Sequence, residues 1–267
     1  MHVFAFESYG VKIRFQSMRK DVLERARRVA ESSLLGNIIP IPPSDAKHIF
    51  TFGRSKTGLF FDVNGENGSE TPHAKAFYNY YESILRVHVA EYAKDLIFLH
   101  AGAIAWKGKG ILFPADSYQG KTTLVAELVK RGAVYYSDDF AILDKEGLLH
   151  PFPRRLSIRD PKGSGRRSNV SALRLGGSIA TGPIPVTAVI LSRFKKDAVW
   201  RPRKLSPGKG IMQILPEAIP LRANAKQTLK VLQTVVYRAI IAKSFRGDTK
   251  LCLDEIISYI EKLELRD

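Results

Sequence analysis

Cysteine is nearly absent: Cys252 stands alone in 267 residues. A lone cysteine cannot close an intrachain disulfide, so no internal cross-link holds this chain. Long apolar runs are missing too. None reaches the roughly 18–20 residues that span a bilayer. The opening stretch, "MHVFAFESYGVKIRF", lacks the basic segment and apolar block of a secretory signal. These absences predict a cytoplasmic setting and no membrane insertion. Acidic residues are scarce: 26 Asp and Glu stand against 42 Lys and Arg, a formal net charge of +16. Such an excess attracts polyanions and acidic partners but specifies no fold. No zinc-finger spacing or RNP-type aromatic motif accompanies it, so nucleic acid is not the expected partner. The histidines and the cysteine show no metal-ligand spacing. A homo-oligomer is neither indicated nor excluded.

The chain is long enough for a sizeable core, in one large domain or a domain with an appendage. Alternation over 3–16 predicts one or two strands joined near Tyr9-Gly10. "DVLERARRVAESSLL" (21–35) predicts a helix with Asp21 as its N-cap. Residues 37–45 read as a proline-rich connector and 48–65 as a hairpin. A helix from Pro72 to Ala93, capped by Thr71, carries Phe77, Tyr80, Tyr81, Ile84 and Leu85 on one face. That stripe reads as core rather than as a binding surface. Residues 1–95 thus form a smaller N-terminal α+β region, expected to pack on the remainder of the chain.

From residue 96 the pattern becomes α/β. Strands are expected at 96–106, 111–114 and 133–137, with a turn at 107–110. A helix is expected at 121–131, stopped by Gly132. Residues 140–152 read as a hairpin, 153–183 as a long weakly structured loop, 186–194 as a strand and 195–210 as a basic loop. Two helices close the chain, near 225–243 and 249–265.

One segment carries chemistry. "FPADSYQGKTTL" (113–124) holds the second half of the phosphate-loop pattern G-x-x-x-x-G-K-[ST]: Gly120, Lys121, Thr122. Ala115 replaces the first glycine, adding only a methyl group. A strand precedes the loop and a helix follows it, as the motif requires. The loop, Ala115, Asp116, Ser117, Tyr118, Gln119, Gly120, Lys121, Thr122 and Thr123, would offer backbone N–H groups to nucleotide phosphates. Lys121 would reach the β- and γ-phosphates, and the Thr122 hydroxyl would ligate Mg²⁺. The alternative is a helix start that merely begins Gly-Lys-Thr. The helix spans about 15 Å, so strand 133–137 returns parallel to 111–114. Asp138 and Asp139 then emerge beside the loop, where one can hold a metal and the other act as a base. The alternative for them is a solvated turn.

The segment 99–143 resembles the catalytic core of HPr kinase/phosphorylase, a P-loop kinase of the PEP carboxykinase-like type. That family orders a histidine-bearing strand, a hairpin, a loop G-D-S-G-x-G-K-S, a helix ending K-R-G and a strand ending in an Asp pair. The matching pieces are His100, Asp116-Ser117, Gly120-Lys121-Thr122, Lys130-Arg131-Gly132 and Asp138-Asp139. "LHAGAIAW" (99–106) and "HPFPRRLSIR" (150–159) are closest to HPr-kinase-related proteins that lack the family's usual N-terminal domain. Some of those phosphorylate a serine of ribosomally made peptides, lasso peptide precursors among them. The resemblance implies a mixed β-sheet with flanking helices over 96–267, with ATP and Mg²⁺ as cofactors. It implies Asp138 near the metal, Asp139 as general base and His100 close to the reacting phosphoryl group. The implied acceptor is a serine of a peptide or protein. Tyr118 and Thr123 depart from the pattern, as does Ala225 in "IPLRANAK" (219–226), where Arg222 matches an arginine. These departures point away from the family's reverse, dephosphorylating reaction and from HPr as target. The basic loops at 153–174 and 193–209, with Arg154, Arg155, Arg159, Arg166 and Arg167, would face acceptor or nucleotide phosphates. Two other readings use the same loop: a nucleotide-binding regulator with little catalysis, and a small-molecule kinase.

Overall fold

The computed structural model describes residues 1–115, 119–159 and 167–263. It is mixed α/β and divides into two compact units, Met1–Asp95 and Leu96–Asp267.

The first unit runs β1 (His2–Ser8), β2 (Val11–Ser17), α1 (Lys20–Ser33), β3 (Ile39–Pro40), β4 (His48–Arg54), β5 (Leu59–Val63), β6 (Glu66–Thr71) and α2 (Ala74–Tyr92). Its sheet order is β3-β1-β2-β4-β5-β6. Tyr9 and Gly10 turn β1 into β2 with positive φ, 51° and 78°. Alternate residues of the strands, including Phe6, Phe15, Phe50, Phe52 and Phe61, are buried against the two helices. Several expectations shift by a few residues. Asp21 is not the N-cap of α1; Arg19 is, and its guanidinium bonds Asp21 within the first turn. Thr71 ends β6, and His73 precedes α2. Tyr80 points out at 46% exposure, whereas Tyr78, Val89 and Ala90 join Phe77, Tyr81 and Leu85 inside. The expected hairpin at 48–65 has a third strand, β6, because "ENGSET" pairs back on β5.

The second unit runs β7 (Leu96–Trp106), β8 (Lys109–Pro114), α3 (Lys121–Lys130), β9 (Val134–Ser137), β10 (Phe140–Asp144), β11 (Leu148–His150), β12 (Leu156–Arg159), β13 (Arg167–Val170), β14 (Ser178–Ile179), β15 (Ile184–Phe194), β16 (Arg203–Leu205), α4 (Pro207–Ile214), α5 (Ala225–Arg238), β17 (Ile240–Arg246) and α6 (Thr249–Glu261). Strand β7 is the hub. It pairs antiparallel with β8, β9 and β10. The pairings β7–β10–β11–β15–β8–β7 close a ring. From there the sheet continues in parallel through β17, with β16 at its edge. One face packs on α3 and α6 and the other on α4 and α5. Both β8 and β9 are antiparallel to β7, so they run in the same direction, as expected, with β7 between them.

Three stretches differ from the sequence expectation. The loop expected at 153–183 contains the ribbon β12–β13, a 3₁₀ turn at Ala172–Leu175 and β14. The basic loop at 195–210 contains β16 and the start of α4. The helix expected to 243 stops at Arg238, and "IIAKSFR" is a strand. Its β-branched start, Ile240-Ile241, suits the buried parallel ladder with β15. No helix among the described residues is long and apolar enough to cross a membrane.

Candidate phosphate-transfer site

The site forms where three chain segments meet β7 in register. Pro114 at the end of β8 pairs with Ala101, so Ala115 follows beside His100. On the other side of β7, Phe140 pairs with His100 and Ser137 with Ala103. Strands β9 and β10 are therefore one antiparallel run along β7, interrupted at Asp138-Asp139 and shifted in register between Ala103 and Ile104. The acidic pair follows the end of β9, as expected, and fills a two-residue gap before β10. The gap is held by Ser137, whose Oγ accepts from the N–H groups of Asp139 and Phe140, each at 3.2 Å.

Helix α3 begins at the same level. Gly120 precedes it with φ 73°, a left-handed conformation that favours glycine. A β-carbon there would also lie 2.5 Å from Arg246 Nη2. Having no side chain, Gly120 supplies no capping acceptor, which leaves the first-turn N–H groups available to an anion. Helix and strand approach closely because β7 is thin here. A β-carbon on Gly102 would stand 2.7 Å from Val125 Cγ2 and 3.2 Å from Lys121 Cγ.

The structure gathers several of the expected residues. Asp138 is buried at 7% exposure, and the Thr122 hydroxyl is close enough to favour its ionised form. The Tyr135 hydroxyl lies 2.9 Å from Asp138 Oδ1 and 2.8 Å from the Arg154 carbonyl oxygen. Burial raises the Asp138 carboxyl above its ordinary range, and Asp139 adds to that. The Tyr135 and Thr122 hydroxyls and the Lys121 charge pull it back. Burial likewise pushes the Tyr135 phenol far up, so it stays a donor. Lys121 Nζ donates to the Ala115 carbonyl at 3.3 Å. Asp139 is half-buried and accepts from Arg154 Nη1 at 3.2 Å. His100 Nδ1 lies 3.3 Å from Glu217 Oε2. Thr123 points outward, and Arg155 and Arg222 are exposed. Asp116, Ser117, Tyr118 and Arg166 lie outside the described residues, as do the side chains of Arg159 and Arg167.

Two further functional candidates are not apparent from the sequence. Glu217 reaches His100 because Leu99 bridges to Ala218, drawing a 3₁₀ turn (Leu215–Glu217) onto β7 where β8 has ended. Arg246, at the end of β17, is 2% exposed. Its Nη2 donates to the carbonyls of Gln119 and Gly120, both at 2.9 Å, and its Nη1 donates to Thr249 Oγ1 at 2.7 Å. A buried arginine committed to backbone carbonyls fixes a loop's shape. The only sequence signal for it is an arginine closing a largely apolar stretch whose rhythm predicts helix.

The donor set suits Mg²⁺. A carboxylate, Asp138, and a hydroxyl, Thr122, are hard oxygen ligands, and Mg²⁺ in nucleotide sites takes one or two carboxylates plus phosphate oxygens. The described residues hold no cluster of three acidic, histidine or cysteine side chains that would suit a metal bound by protein alone. No family model matches the chain, and no curated protein is similar to it at a significant level.

Proposed function

We propose that this protein is a Mg-ATP-dependent kinase that transfers a phosphoryl group to a hydroxyl, most simply a serine of a peptide or protein. The proposal includes an HPr-kinase-like P-loop core over 96–267. One observation carries it: Lys121 and Thr122 open helix α3, whose first turn has no side-chain cap, and the Lys121 charge and the Thr122 hydroxyl both act on the buried Asp138 carboxyl. Phosphoryl transfer needs positioning and charge neutralisation rather than covalent catalysis. Lys121 and the α3 amides neutralise the phosphates. Thr122 and Asp138 would hold the cation, which would supply further positive charge beside the phosphates. Asp139 takes the proton of the acceptor hydroxyl once Arg154 yields it. His100, oriented by Glu217, donates to a phosphoryl oxygen. Cys252 is a buried free thiol, which accords with a cytoplasmic enzyme.

A second reading, a nucleotide-binding regulator with little turnover, draws on one contact: Arg154 already occupies Asp139. Incubation of the protein with Mg-ATP and serine-containing peptides, read by mass spectrometry, separates the two. The kinase reading expects a peptide heavier by one phosphoryl group and a matching amount of ADP. Tight ATP binding with no acceptor-dependent ADP would leave the regulator.

A further inference from the structure

The sheet end that carries the phosphate loop carries a second charged concavity. A cavity of about 290 Å³ is lined by Arg193, Lys195, Lys196, Arg201, Arg203 and Lys243, with Asp197 its single acid. Two apolar side chains of its lining are well exposed: Phe245 at 52% and Val199 at 61%. Lys195 stands over the Phe245 ring, 5.6 Å from its centroid. Among the described residues, Lys195, Lys196, Arg201 and Arg203 form no ion pair with a carboxylate. So many cations around so small a volume repel one another, and an anionic occupant relieves that.

The cavity's position ties it to the candidate site. Strands β8, β15 and β17 run parallel, so the phosphate loop after β8 and the turn after β15 leave the sheet at the same end. The backbone connects them: Lys195 N donates to the Arg246 carbonyl at 2.9 Å, and the Arg246 guanidinium holds Gln119 and Gly120. The cavity also borders a sheet edge. Strand β16, which contributes Arg203, ends the sheet order, with β17 as its neighbour on the inner side. An edge strand offers alternate backbone N–H and C=O groups to an extended chain.

We propose that this cavity docks an acidic, extended segment of the acceptor polypeptide, with its backbone along β16 and its carboxylates on Lys195, Arg201 and Arg203. This rests on the kinase reading and names its substrate class: a hydroxyl-bearing residue within an acidic sequence. Polypeptide is favoured over nucleic acid because the cations surround one small cavity beside a strand edge rather than a track many nucleotides long.

The test is fluorescence anisotropy with a labelled peptide, one serine flanked by glutamates. The proteins compared are wild type, Lys195→Glu/Arg201→Glu/Arg203→Glu, and the milder Lys195→Gln/Arg201→Gln/Arg203→Gln. Wild type should bind with an affinity that falls as salt rises. Both triple variants should bind roughly tenfold or more weakly, and Lys121→Ala should bind like wild type. Unchanged binding in a folded triple variant overturns the proposal. So does a single-stranded oligonucleotide of equal charge that binds more tightly than the peptide and is lost in the same variants. Phosphorylation of the acidic peptide and of a neutral serine peptide by wild type is read in parallel. Cavity-dependent peptide binding with no phosphorylation of any peptide by wild type overturns the kinase reading alone.

Discussion

In residues 1–95 the sheet is filled with rings; in residues 96–267 the hub strand narrows at its middle to alanine and glycine. Phe15 meets Phe6 at 5.0 Å, Phe52 at 5.3 Å and Tyr81 at 5.9 Å between ring centroids, in edge-on contacts. Strand β7 offers instead Ala101, Gly102, Ala103 and Ala105. The buried polar groups divide in the same way. Among the described residues, the second unit buries two charged side chains, Asp138 and Arg246, whereas the buried polar side chains of the first are Ser8, Ser17 and Ser33. The first unit also holds a half-buried histidine pair: the His48 and His88 rings lie 4.6 Å apart between centroids, and desolvation pushes both toward the neutral form. Rings maximise apolar area per residue. Small residues let a helix start and a loop approach a strand closely. The first unit is thus filled by rings, and the second narrows the middle of its hub strand where α3 and the acidic pair approach it.

Four substitutions test that division, in order of expected effect. Lys121→Ala should lower turnover by about 10³-fold or more while shifting the melting temperature by only a few degrees. Activity and thermal melts on the same sample check this. Phe15→Ala should do the opposite kind of damage, costing the first unit roughly 3–5 kcal/mol, measured by denaturant titration. Arg246→Lys keeps a charge but loses the fork that spans Gln119 and Gly120. It should weaken ATP binding by about tenfold, measured by calorimetry. A folded Arg246→Lys variant with unchanged affinity would remove Arg246 from the site.

The smallest effect is a pH dependence. Burial, then His48, lowers His88 to about 4. Its folded value is below its unfolded value, so between the two the unfolded chain binds the extra proton. Stability should therefore be full above about pH 6.5 and decline as pH falls toward 4. His88→Phe should flatten that decline, since an aromatic ring at 88 keeps the edge-on contact with Phe50, now at 5.3 Å. Denaturation midpoints between pH 4 and 7 check it.

Much of the site is legible in the sequence because its parts are local. Gly120-Lys121-Thr122 needs only a strand before it and a helix after it, and both are there. The acidic pair is legible for the same reason. Its setting in a gap is not, because β9 and β10 align along β7 only through pairing with residues 96–105. Arg246 and Glu217 act across 126 and 117 residues, respectively. Local pattern carries no record of such distances. Strand β17 mimics a helix because "VVYRAIIAKSF" continues an apolar rhythm compatible with one, and Ala239, extended at φ −83° and ψ 150°, breaks it without glycine or proline. Strands β12 to β14 are hidden because short ribbons in Gly-, Ser- and Arg-rich sequence leave little periodicity.

The most direct test of the central claim is Asp139→Asn, assayed for ATP affinity and acceptor-stimulated ADP release against wild type. A kinase with Asp139 as its base predicts ATP affinity within about threefold and ADP release down by about 100-fold or more. Wild-type turnover in a folded Asp139→Asn protein would contradict it.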